Sequence, residues 1–135
     1  MKEGDHVVKT FGKYCAKCHF GLDTFPPNFL YGEARHVKDN LNRCAERIFF
    51  RLEMWPLDPD HRPQPPMPPV STLRRLNVAP EQWPHQDDLR MMRDYVSAVL
   101  RTQTGRVPTL EAMKARGYDN LRECPPAQLA GELTK

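Results

Sequence analysis

Nine of the fourteen prolines in this chain of 135 residues fall between positions 56 and 84. Proline removes a sheet-ladder donor and breaks helix interiors, so a long coiled coil and a regular central sheet are both ruled out. Helices flanking an irregular middle are what remains. By proline content alone, residues 56–84 read as a flexible linker or a polyproline ligand. They also carry Met67, Val70, Leu73, Leu76 and Val78 and no Gly/Ser tract, so the expectation is a rigid, ordered loop wrapped over the domain. The length suits one compact core rather than two. Apolar runs stop at a few residues, such as Ile48-Phe49-Phe50, which gives no transmembrane segment and no signal peptide. Basic and acidic residues number 8 and 6 in 1–50, 7 and 7 in 51–105, and 5 and 4 in 106–135. Such mixing makes a solvated surface and no nucleic-acid footprint.

Helical periodicity covers most of the remainder. In residues 5–18, Val7, Val8, Phe11, Tyr14, Cys15 and Cys18 recur at steps of three and four and share a face. Gly4-Asp5 supplies a candidate N-cap, and Gly21 ends the helix. Residues 21–32 are a turn-rich loop stiffened by Pro26 and Pro27. A second helix is expected over 38–54, with a stripe of Leu41, Cys44, Ala45, Ile48, Phe49 and Leu52. Asp39 or Asn40 caps its start and Pro56 stops it. The third helix, 86–103, carries an apolar stripe of Leu89, Met92, Val96, Val99 and Leu100, with Tyr95 beside it. Asp87 or Asp88 stands in its first turn, Arg101 in its last, and Gly105 beyond. A short helical candidate follows at 109–116. Three helices joined by long irregular loops make a poor core on their own, and such small domains need a staple or a bound group to complete them.

Cys15-Ala16-Lys17-Cys18-His19 is C-x-x-C-H, the attachment signature of c-type haem. Two thiols one helical turn apart can add to the two vinyl groups on one porphyrin edge, and the next residue presents an imidazole to the iron. A zinc half-site would need a second ligand pair, and neither another C-x-x-C nor an H-x-x-H is present. A thioredoxin-like redox pair would need a βαβ context, which the chain lacks. The sixth iron ligand has several downstream candidates: Met54, Met67, Met91, Met92, Met113, His36, His61 and His85. Met67 is preferred, because in Pro65-Pro66-Met67-Pro68-Pro69 it cannot be helix core and its loop is stiff before ligation. Met54, Met91 and Met92 sit in helical stripes and read as core filler.

With these motifs the chain resembles a class I c-type cytochrome over residues 5 to about 103. The resemblance rests on Phe11 four residues before Cys15, on Cys-Ala-Lys-Cys-His, on the loop Phe25-Pro26-Pro27-Asn28-Phe29-Leu30-Tyr31-Gly32, on Met67-Pro68-Pro69, and on the last helix centred at Tyr95-Val96. It implies an all-α cytochrome c fold of three to five helices around one covalently attached haem c. It further implies His19/Met67 ligation, with the carbonyl of Pro26 or Pro27 accepting the His19 Nδ1 proton. Phe11 and Tyr95 become the expected contacts where the first and last helices cross. The implied function is one-electron transfer, not enzymatic catalysis, with redox partner proteins met by a monomer at the exposed haem edge beside Lys13 and Lys17. Two features depart from the family pattern. The stretch Leu41–Met67 is long and proline-rich, and the tail beyond Gly105 has no counterpart. The organisation expected is a cytochrome c domain at 1–105 and a C-terminal extension at 106–135 on the same domain.

Haem c is attached outside the cytoplasm, where disulfides persist. The remaining cysteines, Cys44 and Cys124, are accordingly expected to bridge and tether the tail, two buried free thiols being the alternative. Because the chain opens at Met1 without an export leader, the expectation is a mature periplasmic or otherwise exported chain, or a domain excised from a larger redox enzyme to which it delivers electrons. Arg47, Arg51, Arg62, Arg74 and Arg75, with the indoles of Trp55 and Trp83, are candidates to meet haem propionates. The ordinary reading of each is an exposed charge or a packed ring. The rival functional reading is a haem enzyme or ligand sensor whose distal site is open or displaceable. No distal acid/base pair stands out to support it.

Overall fold

The structure, a computed structural model, describes the backbone of residues 3–19 and 34–124 and the side chains of 6–15 and 36–124. The expected helix end at Gly21, the loop 21–32 and the tail beyond Cys124 lie outside these residues. Helix α1 spans Glu3–His19. It starts two residues earlier than expected, so Gly4 and Asp5 lie inside its first turn and do not cap it. Val7, Thr10, Phe11 and Tyr14 form its buried face, at the three- and four-residue spacing of a single stripe.

The helix expected at 38–54 is two helices. Helix α2 spans Ala34–Arg43 and α3 spans Ala45–Leu52. Asp39 and Asn40 therefore lie inside α2, and the Asn40 amide oxygen accepts from Arg43 Nη2 at 2.6 Å instead of capping a terminus. The early start escaped the periodicity because residues 34–39 carry only Ala34 and Val37 as apolar positions. The break is one residue wide. Cys44 has φ −98° and ψ 5°, yet its N–H still reaches the Asn40 and Leu41 carbonyls at 3.0 and 3.2 Å. The stripe runs through this kink, with Leu41, Cys44, Ala45, Ile48, Phe49 and Leu52 all buried.

Between Leu52 and Asp87 the chain is not one irregular loop. It contains a 3-10 turn at Pro59–His61, the unforeseen short helix α4 at Val70–Arg75, and a second 3-10 turn at Trp83–His85. Met54, Trp55, Leu73 and Trp83 from this stretch are buried in the core. Proline-rich backbone has carbonyls but few N–H groups, so its acceptors need side-chain donors. Arg62 supplies them: Nε donates to the carbonyls of Met54 at 2.7 Å and Leu57 at 3.1 Å, and Nη2 to that of Trp55 at 3.2 Å.

Helix α5, Asp87–Thr104, is the centre of the fold. Leu89, Met92, Val96 and Leu100 make its buried edge. Helix α3 has the most extensive contact with it, and α1 and α2 also pack against it. Asp87 and Asp88 occupy the first turn and Arg101 the last, and Gly105 closes it in the left-handed region at φ 75°, where a Cβ would be strained. Helix α6, Leu110–Arg116, is capped by Thr109, whose hydroxyl accepts the Ala112 N–H at 3.2 Å. Gly117, at φ 89°, then turns the chain into a 3-10 turn at Tyr118–Asn120. Met113 and Leu121 are buried against the rest. Among the described residues there is no strand, and the architecture is all-α.

Candidate functional site

The C-x-x-C-H motif occupies the last turns of α1, whose helical backbone continues through His19. Positions 15 and 18 are thus one turn apart on an unbroken helix. Cys15 is half-buried and lies against the core. The side chains of Lys17, Cys18 and His19, and all of Pro26 and Pro27, lie outside the described residues.

The residue before the motif ties α1 to the start of α5. Tyr14 is buried, donates its hydroxyl proton to the Asp88 carboxylate, and meets Trp83 with ring centroids 4.6 Å apart. Burial first, and then the Asp88 acceptor, hold its phenol well above the ordinary tyrosine range. Lys13, expected to face partners, has its ammonium 3.9 Å from Asp88. One turn earlier, Phe11 and Tyr95 meet edge to face at 6.2 Å, the helix-crossing contact anticipated for this pair.

Trp83 is fully buried, and among the described residues its indole N–H has no hydrogen-bond partner. Indole has one donor, so this is its entire hydrogen-bonding capacity, left without an acceptor. Arg43 and Arg47 also have an unpartnered Nε, but each guanidinium has other donors and uses some of them.

The methionines separate cleanly. Met54, Met92 and Met113 are core residues, and Met91 packs on the core, with its sulfur accepting from the Thr10 hydroxyl at 3.4 Å. Met67 alone among the described methionines is neither. It is half-buried and its N–H reaches the Arg51 carbonyl at 3.3 Å. The next residue, Pro68, is buried, and its carbonyl accepts the Trp55 indole N–H at 3.1 Å. Of the downstream histidines, His61 and His85 are exposed and His36 is half-buried. His61 Nδ1 stands 3.8 Å from Asp58.

The expected propionate donors are mostly engaged elsewhere. Trp55 is occupied by Pro68, and Arg62 by three carbonyls. Arg47 donates to the carbonyls of Asp119 and Leu121. Arg51 donates to the Tyr118 hydroxyl and the Pro65 carbonyl. Arg74 and Arg75 are exposed on α4. These arginines serve proline-rich backbone and a folded-back tail, and only the carbonyl surplus of residues 56–69 hinted at this in the sequence. The Tyr14–Asp88–Trp83 cluster had no local signal at all, because its members are brought together only by the α1–α5 crossing.

Cys44 and Cys124 form a disulfide, with Cα atoms 4.4 Å apart. A groove of about 980 Å³ between α1, α2 and α5 is a separate feature. Its described lining includes Asp39, Asn42, Arg90 and Tyr95. There, burial first and the Asp39 charge second raise the Tyr95 phenol above its ordinary range. Comparisons with known protein families, with curated proteins and with solved structures find no match in any of the three.

Proposed function

We propose that the chain is a class I c-type cytochrome module, a monohaem one-electron carrier with a cytochrome c fold. In this reading Cys15 and Cys18 bind one haem c through thioether bonds, and His19 and Met67 take the axial positions. The carbonyl of Pro26 or Pro27 accepts the His19 Nδ1 proton, which fixes the tautomer. When bound, the haem supplies an Fe(III)/Fe(II) couple. Met67, a soft neutral ligand, favours the reduced state and raises the potential relative to a second histidine.

The observation that carries the reading is C-x-x-C-H at the end of an unbroken helix. Two features of the fold are compatible with the group. Met67 is held by its backbone while its side chain stays out of the core. The Trp83 indole offers a buried donor without an acceptor among the described residues, and a haem carboxylate is an acceptor of the required kind. The Cys44–Cys124 disulfide suits the exported, oxidising location in which haem c is attached. Redox partner proteins would meet the module at the haem edge beside Cys15 and Cys18.

The test is an optical spectrum of the exported protein, oxidised and then dithionite-reduced, with an alkaline pyridine assay on the same sample. Expected are sharp low-spin reduced bands, one covalent haem per chain, and a weak far-red methionine–iron band that disappears in Met67→Ala. A high-spin spectrum that shifts readily with carbon monoxide would instead make the protein a ligand sensor or haem enzyme. Absence of covalent haem would overturn both.

A further inference from the structure

The five residues Pro65-Pro66-Met67-Pro68-Pro69 contain a single backbone N–H, that of Met67. It goes to the carbonyl of Arg51, at 3.3 Å. The side chain of the same arginine returns to the loop, with Nη1 donating to the Pro65 carbonyl at 3.0 Å. Arg51, in the last turn of α3, therefore grips the loop on both sides of Pro66.

Arg51 is itself fixed by the tail. Its Nε donates to the Tyr118 hydroxyl at 3.2 Å, and its guanidinium lies 5.0 Å from the centre of the Tyr118 ring. That ring packs on Phe50 at 5.1 Å, with Arg47 also 5.0 Å from its centre. The tail is fastened around it. Glu46 accepts from Arg116 at 3.1 Å and from the Arg122 N–H at 2.9 Å, Arg47 holds two tail carbonyls, and Cys124 is bonded to Cys44.

We infer that Arg51, braced by Tyr118, is a positioning residue for Met67, and that the C-terminal extension is thereby part of the apparatus that keeps the methionine in place. This rests on the axial role proposed for Met67. A loop so poor in donors has few other ways to hold one conformation. Its prolines narrow the conformations available, and the arginine selects among them. A hydrogen bond from a charged donor is worth enough that losing it raises a minor, methionine-released population by about tenfold or more.

The experiment uses the matured, haem-loaded chain and compares Arg51→Leu, Tyr118→Phe and, as a charge-loss control, Arg106→Leu. Arg106 is exposed. Three readouts are taken: the far-red band of the oxidised protein, the rate of carbon monoxide binding to the reduced protein, and the thermal midpoint. Arg51→Leu is expected to weaken the band and speed carbon monoxide binding by about tenfold, and Tyr118→Phe by about threefold, since one neutral-acceptor contact is lost from a clamp that otherwise persists. Arg106→Leu should match the parent. If Arg51→Leu and Tyr118→Phe lower the thermal midpoint but leave band and rate unchanged, the clamp is structural only and the inference is overturned. Should Arg51→Leu not mature, Tyr118→Phe alone decides in the same way. If the parent itself has no band that Met67→Ala removes, the ligation reading fails and this inference falls with it, a result already distinct in the parent spectrum.

Discussion

Along α3, most polar groups are answered from within the chain, the Nε of Arg47 being an exception. Glu46, Arg47 and Arg51 hold the tail, Arg51 and Trp55 hold the proline loop, and a disulfide closes the arrangement. At the end of α1 the position is reversed. Tyr14 has Asp88, but the buried Trp83 N–H behind it has no acceptor among the described residues. An unpaired buried donor costs about 1–3 kcal/mol, and native folds rarely tolerate one without a reason. On the haem reading proposed above, the Trp83 side is where a bound group would complete the hydrogen bonding. The α3 side is stapled covalently; the α1 side has the motif for a cofactor.

If the proposed haem is bound, the comparison breaks most decisively when it is withheld. Replacing both Cys15 and Cys18 by Ser should abolish covalent haem and remove several kcal/mol of stability, a large share of the roughly 5–15 available to a domain. The loss should be uneven. Near-ultraviolet dichroism from Trp83 and Tyr14 should collapse, while amides of α3 and α6 keep hydrogen-exchange protection. Uniform loss of protection would show that the two sides form one cooperative unit. On the opposite side, Cys124→Ser should cost about 4 kcal/mol by the loop-entropy account of a cross-link spanning 80 residues. Denaturant unfolding measures this, and haem content should stay at one per chain.

Trp83→Phe sharpens the contrast at a single atom. In the haem-loaded protein it should cost about 1–2 kcal/mol beyond packing, because a satisfied donor is lost. In the double-serine variant the same change removes only an unsatisfied donor, so that excess should vanish. A double-mutant cycle between the two backgrounds measures the difference. Equal costs in both would mean that the indole does not face the cofactor.

What was legible beforehand follows the same division. The apolar stripes of α1, α3 and α5 are strongly periodic, and the crossing of Phe11 with Tyr95 and the pairing of Cys44 with Cys124 were anticipated. The start of α2 was missed because Ala34–Asp39 is nearly without apolar residues, and α4 because it is a single short turn of helix after two prolines. The contacts the arginines make were illegible for a deeper reason. Arg47, Arg51 and Arg62 bind carbonyls of the loop and tail, and a carbonyl carries no side-chain signature. Met67 stood out for the converse reason: four flanking prolines exclude it from any stripe, and its side chain indeed remains outside the core.

The smallest expected effect concerns Tyr14, where the two regions adjoin. Its phenol is raised above the ordinary value by burial and by the Asp88 carboxylate, with the Lys13 ammonium 3.9 Å from that same carboxylate. The folded chain therefore keeps this proton at pH values where the unfolded chain, titrating near 10, has released it. The stabilisation is complete below about pH 10 and is lost as pH rises toward the folded value, at up to about 1.4 kcal/mol per pH unit for one proton. Tyr14→Phe should cost about 1 kcal/mol at neutral pH through the lost hydrogen bond and should flatten stability above pH 10. Tyr95, also raised, leaves a residual slope. Urea unfolding of parent and variant at pH 7 and between pH 10 and 11 tests both parts. Parallel curves through the alkaline range would mean that the phenol is not held by Asp88 in solution, and the tie between α1 and α5 would then rest on ring packing alone.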